Sequence, residues 1–141
     1  MTQTDLHSIL KIILEAIQGK NFIWRLDGSA NLIMQGIETT VRDLDIDTND
    51  EGIDIFKNAL NKYVIKNFYS EKIKGRSLIC NINNFEIEIN SYGDRKSDIF
   101  DKTKTTNWQG LNIPILPLPY AKKFYQLINR QNKVDLINRY L

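Results

Sequence analysis

Asp27-Gly28-Ser29, followed after thirteen residues by Asp43-Leu44-Asp45-Ile46, is the stretch on which the reading of this chain turns. Just upstream, Phe22-Ile23-Trp24-Arg25-Leu26 is short and rich in β-branched and aromatic residues, which predicts a strand. Asp27-Gly28-Ser29 then forms a turn, and Ala30 to Gln35 reads as a short helix that Gly36 ends. Val41, Leu44 and Ile46 interleave with acids at 43, 45 and 47, strictly from Asp43 onward. That alternation predicts a half-buried strand over 41–47 with its acids on one face. Each piece also has an ordinary reading. A Gly-Ser turn is commonly just a turn, and an isolated Asp-x-Asp is commonly the solvated side of an edge strand.

Outward from this centre, Leu6, Ile9, Leu10, Ile13 and Ile17 mark an amphipathic helix over 4–19, with Thr4 as its cap and Gly19 as its stop. Downstream, Thr48-Asn49-Asp50 supplies cap residues for a helix over 51–68, with Ile53, Phe56, Leu60, Tyr63 and Val64 on its buried side. Ser77 to Ile82 and Phe85 to Ser91 read as two strands about an Asn83-Asn84 hairpin turn. Residues 94–109 are the most polar stretch and read as a long surface connection. Leu111 to Leu116 reads as a last strand, and Pro117 and Pro119 open a C-terminal helix over 118–129, with a further turn or two to Leu141. The fold class is therefore α/β (α+β): one domain over 1–141, with a single mixed β-sheet and helices packed on it.

Composition narrows the functions. The 141 residues are 42% hydrophobic and 26% charged, and 19 Lys and Arg against 17 Asp and Glu leave a formal charge of +2. That balance gives no dedicated DNA-binding surface and no acidic disordered chain. No apolar run exceeds four residues, so no membrane span is expected, and the N-terminus does not read as a signal peptide. A lone Cys80 and a lone His7 exclude an internal disulfide and a Cys/His zinc site. A cytoplasmic protein is expected, and any metal it holds must sit on carboxylates. His7 shows no partner in the sequence and reads as structural or surface and not as a base, and Cys80 reads as a small buried hydrophobe. Trp24 reads as core and Trp108 as partly buried. Lys72, Lys74, Arg76, Arg95 and Lys96 read as scattered surface cations.

Three features carry chemistry. Gly28 and Ser29 stand at a helix start, where free backbone N–H groups suit a phosphate. Asp43 and Asp45 share a strand face, where two like charges are tolerated in water or about a divalent cation. Phe85-Glu86-Ile87-Glu88-Ile89 repeats the pattern and puts Glu86 and Glu88 on one face.

In this order these features resemble the nucleotidyltransferase superfamily related to DNA polymerase beta, in its minimal, antibiotic-modifying branch. The family pattern is an apolar residue, Gly, then Gly or Ser, a gap, and Asp-apolar-Asp/Glu-apolar. Here Asp27 stands where an apolar residue is commoner. The resemblance covers about residues 20–90. More weakly, it extends to 117–141, where Arg130-Gln131-Asn132-Lys133-Val134-Asp135 is similar to the branch's Arg…Lys-x-Asp element.

The resemblance implies transfer of a nucleoside monophosphate from a nucleoside triphosphate to an acceptor hydroxyl, with Mg2+ or Mn2+ as cofactor. It implies Asp43, Asp45 and Glu88, or Glu86 in place of Glu88, as metal ligands, with Asp43, Asp45 and Glu88 catalytic. It assigns nucleotide contacts to Gly28, Ser29 and Arg42. Glu88 is preferred to Glu86 because it lies deeper along its strand. The acceptor is not identified. The alternative is a non-catalytic or regulatory protein of the same fold, an antitoxin-like partner of a helical toxin.

Overall fold

The computed structural model describes residues 1–92 and 100–141. Helix α1 spans Gln3–Ala16 and buries Leu6, Ile9, Leu10 and Ile13, the stripe its spacing predicts. Its cap is Thr2, two residues earlier than expected. The Thr2 hydroxyl accepts from the Asp5 N–H and the Asp5 carboxylate accepts from the Thr2 N–H, so two otherwise orphaned donors are satisfied at once.

Five strands follow: β1 (Trp24–Asp27), β2 (Leu44–Thr48), β3 (Val64–Ser70), β4 (Gly75–Ile82) and β5 (Phe85–Ser91). They form one sheet in the order β1-β2-β5-β4-β3, with β2 and β5 parallel and the other neighbours antiparallel. Alternation splits this mixed sheet into two chemically distinct faces. Leu26, Leu44, Ile46, Leu78, Cys80, Ile82, Ile87 and Ile89 point to one side and are fully buried with α1 and α3 (Asp50–Ala59). Phe56 of α3 meets Phe22 and Trp24 edge-on there, so Trp24 does join the core. Burial pushes the Cys80 thiol up to about 11, as befits a core hydrophobe. The other face carries Arg25, Asp27, Asp45, Asp47, Glu88 and Asn90.

Helix α2 (Gly28–Met34) lies between two clusters of buried side chains. Ala30 and Met34 join the main core, and Leu32 joins a second cluster with α4 (Leu118–Leu127) and α5 (Gln131–Asn138). Two polar side chains of α2 fix the start of α4. Asn31, buried, donates to the Leu116 carbonyl and accepts from the Leu116 N–H, both at 3.0 Å. Gln35 also donates to the Leu116 carbonyl at 2.8 Å and accepts from the Leu118 N–H at 3.1 Å.

The structure corrects four sequence expectations. The helix over 51–68 ends at Ala59. A 3-10 turn over Asn61–Tyr63 leads into β3, whose Val64, Ile65, Phe68 and Tyr69 suit an edge strand paired along β4 better than a continued helix. The connection over 94–109 is ordered in its second half. There β6 (Lys104–Trp108) pairs with β7 (Leu111–Ile115) in a separate two-stranded ribbon, so the sheet is not the only one. The first part of that connection, with Arg95 and Lys96, lies outside the described residues. The C-terminal helix is two helices, broken where Asn129 takes a left-handed φ of 58°. The strand over 41–47 begins only at Leu44, its first ladder partner being Ile87.

The ribbon docks on α1. His7 Nε2 donates to the Gln109 carbonyl at 3.0 Å and its ring lies 6.0 Å from that of Trp108, so the lone histidine has partners the sequence did not show and takes the structural one of its two expected roles. No helix among the described residues is long and apolar enough to cross a membrane.

Candidate active site

Register places three carboxylates side by side. Asp27 at the end of β1 pairs with Asp45 on β2, and Asp45 pairs with Glu88 on β5. Neighbouring strands lie about 4.8 Å apart, so three acids stand in a row across the polar face. The next row along is Arg25, Asp47, Asn90 and Ser77. Arg25 and Asp47 are both 2% exposed and form a buried ion pair, Nη2 to Oδ2 3.2 Å. Arg25 also stacks on Phe100, 4.6 Å from the ring centre.

Charge is crowded here. Burial pushes the Asp45 carboxyl up to about 7, and Asp27, Glu88, Asp43 and Glu86 add to that in decreasing order. Burial and Asp27 also push Asp47 well above the carboxylate range, and Arg25 pulls it back only in part. The row therefore lacks positive charge for its acids. A hard divalent cation taking some ligands from the protein and the rest from phosphates and water fits that need. Among the described residues no three His, Cys, Asp or Glu side chains converge into a ready metal cage.

Gly28 is required twice over. Its φ is +64°, and a Cβ there would lie 2.6 Å from Asp45 Oδ2. Its N–H donates to Asp27 Oδ1 at 2.7 Å, so the residue that departs from the family pattern caps α2. Next to it, the Ser29 hydroxyl accepts from Lys133 Nζ of α5 at 2.8 Å. Burial and nearby Arg130 both lower the Lys133 pKa, and Asp45 opposes them.

Above the acids opens a cavity of about 680 Å³. Asp27, Asp45 and Glu88 form its floor, and Gly28 and Ser29 one edge. Lys133, bonded to Ser29, and Arg130 also line it, with Lys72 contributed by the β3–β4 turn. Phe124, Tyr125 and Ile128 at the end of α4 give it an apolar wall, met by Ile73.

The sequence model of the family described as aminoglycoside-2''-adenylyltransferase matches residues 9–138. The chain belongs to that family. The adenylyltransferase family is one of nucleotidyltransferases, so the expectation of a nucleotide-transferring enzyme stands. The fold agrees with those of solved nucleotidyltransferases. A Thermotoga maritima protein classed with the nucleotidyltransferases superposes with a TM-score of 0.80 at 23% identity, over 99% of this chain and 94% of its own. The lincosamide antibiotic adenylyltransferase LnuA, lincomycin-bound, gives 0.63 at 15% identity, over 98% and 97%. ANT(2'')-Ia in complex with adenylyl-2''-tobramycin gives 0.63 at 9% identity, over 94% and 87%. No curated protein sequence matches the chain.

Gly28, Ser29, Asp45 and Glu88, four of the residues singled out in the sequence of this adenylyltransferase-family chain, meet at the cavity. Arg42, Asp43 and Glu86 are exposed and do not line it. Asp43 precedes the first ladder pair of β2, and Glu86 lies one register step nearer the hairpin tip, opposite Asn81. Lys72, read as a surface cation, lines the cavity, whereas Arg76 pairs with Asp54 at 2.7 Å. Sequence reasoning missed Asn90 and Tyr125 as cavity residues. Asn90 was within reach, since it continues the alternation of Glu86 and Glu88. Tyr125 carries no signal of its own.

Proposed function

We propose that this chain transfers a nucleoside monophosphate from a nucleoside triphosphate, ATP in the first instance, to a hydroxyl of a small acceptor, with Mg2+ or Mn2+ as cofactor. The observation that carries the reading is the row Asp27–Asp45–Glu88 on the floor of a cavity whose rim holds Ser29, Lys133 and Arg130. Acids on one side and cations on the other are what a triphosphate bridged to a divalent cation requires.

Asp45 and Glu88, with Asp43 two residues before Asp45 and close enough to act on its charge, would hold the cation, which would neutralise phosphate charge and favour ionisation of the acceptor hydroxyl. The acceptor oxygen bonds to the α-phosphorus as the bond from that phosphorus to the bridging oxygen breaks. Pyrophosphate leaves, and the hydroxyl proton passes to Glu88. Ser29, Lys133 and Arg130 bind the departing phosphates, and Gly28 keeps their approach clear. Arg42 stays at the periphery. Positioning and charge neutralisation supply the rate in such transfers. The apolar wall of Phe124, Tyr125 and Ile128 accommodates the non-phosphate parts of the reactants. The antibiotics in the names of the neighbouring structures make a hydroxyl-bearing antibiotic the first acceptor to try.

The test is incubation with α-labelled nucleoside triphosphates, Mg2+ and pools of aminoglycosides, lincosamides, RNA ends and proteins. Label on a small acceptor with release of pyrophosphate is the expected result. Nucleotide binding without transfer to any pool would favour the regulatory reading, and label on a protein would favour the antitoxin-like one.

A further inference from the structure

Resting on the proposed transfer reaction, we propose that Asn90 is a positioning residue for Glu88, and that Ser77 in turn sets Asn90. Ser77 Oγ donates to Asn90 Oδ1 at 2.5 Å, and Asn90 Nδ2 donates to Glu88 Oε1 at 3.4 Å. Ser77 is 2% exposed and Asn90 8%. Both are strand residues and register partners across β4 and β5. Asn90 follows Glu88 by two positions, so its amide stands beside the carboxylate on the same face.

The Glu88 carboxylate, which only accepts, selects the amide's orientation: turned over, Asn90 would set a carbonyl oxygen against a carboxylate oxygen. The Ser77 hydroxyl can donate or accept, so its short bond holds the Asn90 side chain in place and Glu88 draws the donor end toward itself. The inner bond is long at 3.4 Å, and such contacts commonly tighten in the reacting complex. Glu86 has no such support. It is exposed, and its register partner Asn81 bonds instead to the Asn84 N–H of the hairpin turn. The chain thus separates two glutamates of identical spacing by what stands behind each.

Second partners of metal-holding side chains act by fixing their orientation, and their loss weakens metal affinity or activity about 10–100-fold. The experiment uses the full chain with Asn90→Leu, which keeps the branched outline at somewhat larger volume and cannot hydrogen-bond, and Ser77→Ala. Binding of Mn2+ is read by electron paramagnetic resonance in the presence of α,β-methylene-ATP, and kcat and nucleotide KM are read separately at saturating Mn2+. Asn90→Leu is expected to weaken Mn2+ binding and lower kcat, each about tenfold or more, with the nucleotide KM within about twofold of wild type. Ser77→Ala should follow in the same direction with a smaller loss. If both variants melt earlier but bind Mn2+ and turn over as wild type does, the two residues only fill space and the proposal is overturned. If the wild type transfers no nucleotide, the reaction reading fails, and the Mn2+ comparison still decides the role of Asn90.

Discussion

The two halves of the cavity are built on different principles. The acidic floor stands on β1, β2 and β5, where each carboxylate is set by strand register and backed by a fully buried apolar neighbour on the opposite face. The basic rim comes from α5, and its geometry depends on α4 and α5 docking on α2 through Asn31, Gln35 and a small cluster around Leu32. A sheet ladder gives little under single substitutions, whereas two short helices held by a few contacts open locally at lower cost. The floor is therefore the stiffer element, and the rim is the one that opens at lower cost.

The largest effect expected from breaking this contrast is on the floor. Asp45→Asn and Asp43→Asn should each cost about 10²–10³-fold in kcat. They should differ in stability. Asp45 is pushed up to about 7 in the fold, from 3.8, so the folded state holds its proton more tightly than the unfolded chain does. Ionising it removes stability as pH rises from about 4 to about 7. Without metal, wild type should melt lower at pH 8 than at pH 6, and Asp45→Asn should flatten that dependence and raise the melting temperature at pH 8. Exposed Asp43 should leave the melt unchanged. Differential scanning calorimetry with chelator checks both, and a lower melt for Asp45→Asn at pH 8 would refute the crowded-acid account.

The two glutamates sharpen the comparison within the floor. Glu88→Gln should lose about 100-fold in single-turnover transfer at saturating Mg2+, and Glu86→Gln should lose no more than a few-fold. The reverse order would move the third carboxylate to the hairpin tip.

On the rim, Lys133→Met removes a charged donor 2.8 Å from Ser29. A hydrogen bond to a charged group contributes about 1.5–3 kcal/mol, so nucleotide KM should rise about 10-fold or more while kcat changes less. A fall in kcat with unchanged KM would place Lys133 at the reacting phosphorus and not on the departing phosphates.

The same contrast explains what the sequence disclosed. β2 and β5 were legible because period-2 alternation needs a core side and a polar side, and both strands have them. The shared face of Asp45 and Glu88 with their neighbouring acids followed from it, and the Gly28-Ser29 turn was read separately, from its place between a strand and a helix. β3 was not legible. Ile53, Phe56, Leu60 and Val64 continue a helical period, and only pairing with β4 overrides it. The polar strand β6 owes its order to its hairpin partner β7 and to contacts of the intervening Gln109 with His7 and Gln3 of α1, which lie more than a hundred residues away in sequence. Lys133 meets Ser29 across 104 residues, a pairing that local pattern cannot show. The start of β2 was placed three residues early for a simpler reason: alternation holds only where the ladder has begun.

The smallest effect expected is at the joint between the halves. Asn31→Ala removes both of its bonds to Leu116. The Leu116 carbonyl keeps Gln35 as a donor at 2.8 Å, so the N–H is the group left without this partner. One buried backbone donor without a partner costs about 1–3 kcal/mol, and the melting temperature should fall by several degrees. The acid row touches none of these atoms, so kcat at saturating nucleotide should stay within about twofold, whereas KM should rise a few-fold as α5 and Lys133 spend less time against Ser29. Hydrogen exchange should show faster opening of α4 and α5 with β2 and β5 unchanged. A kcat loss as large as that of Asp45→Asn would mean that the floor and the rim are one cooperative unit, and the division drawn here would have to be abandoned.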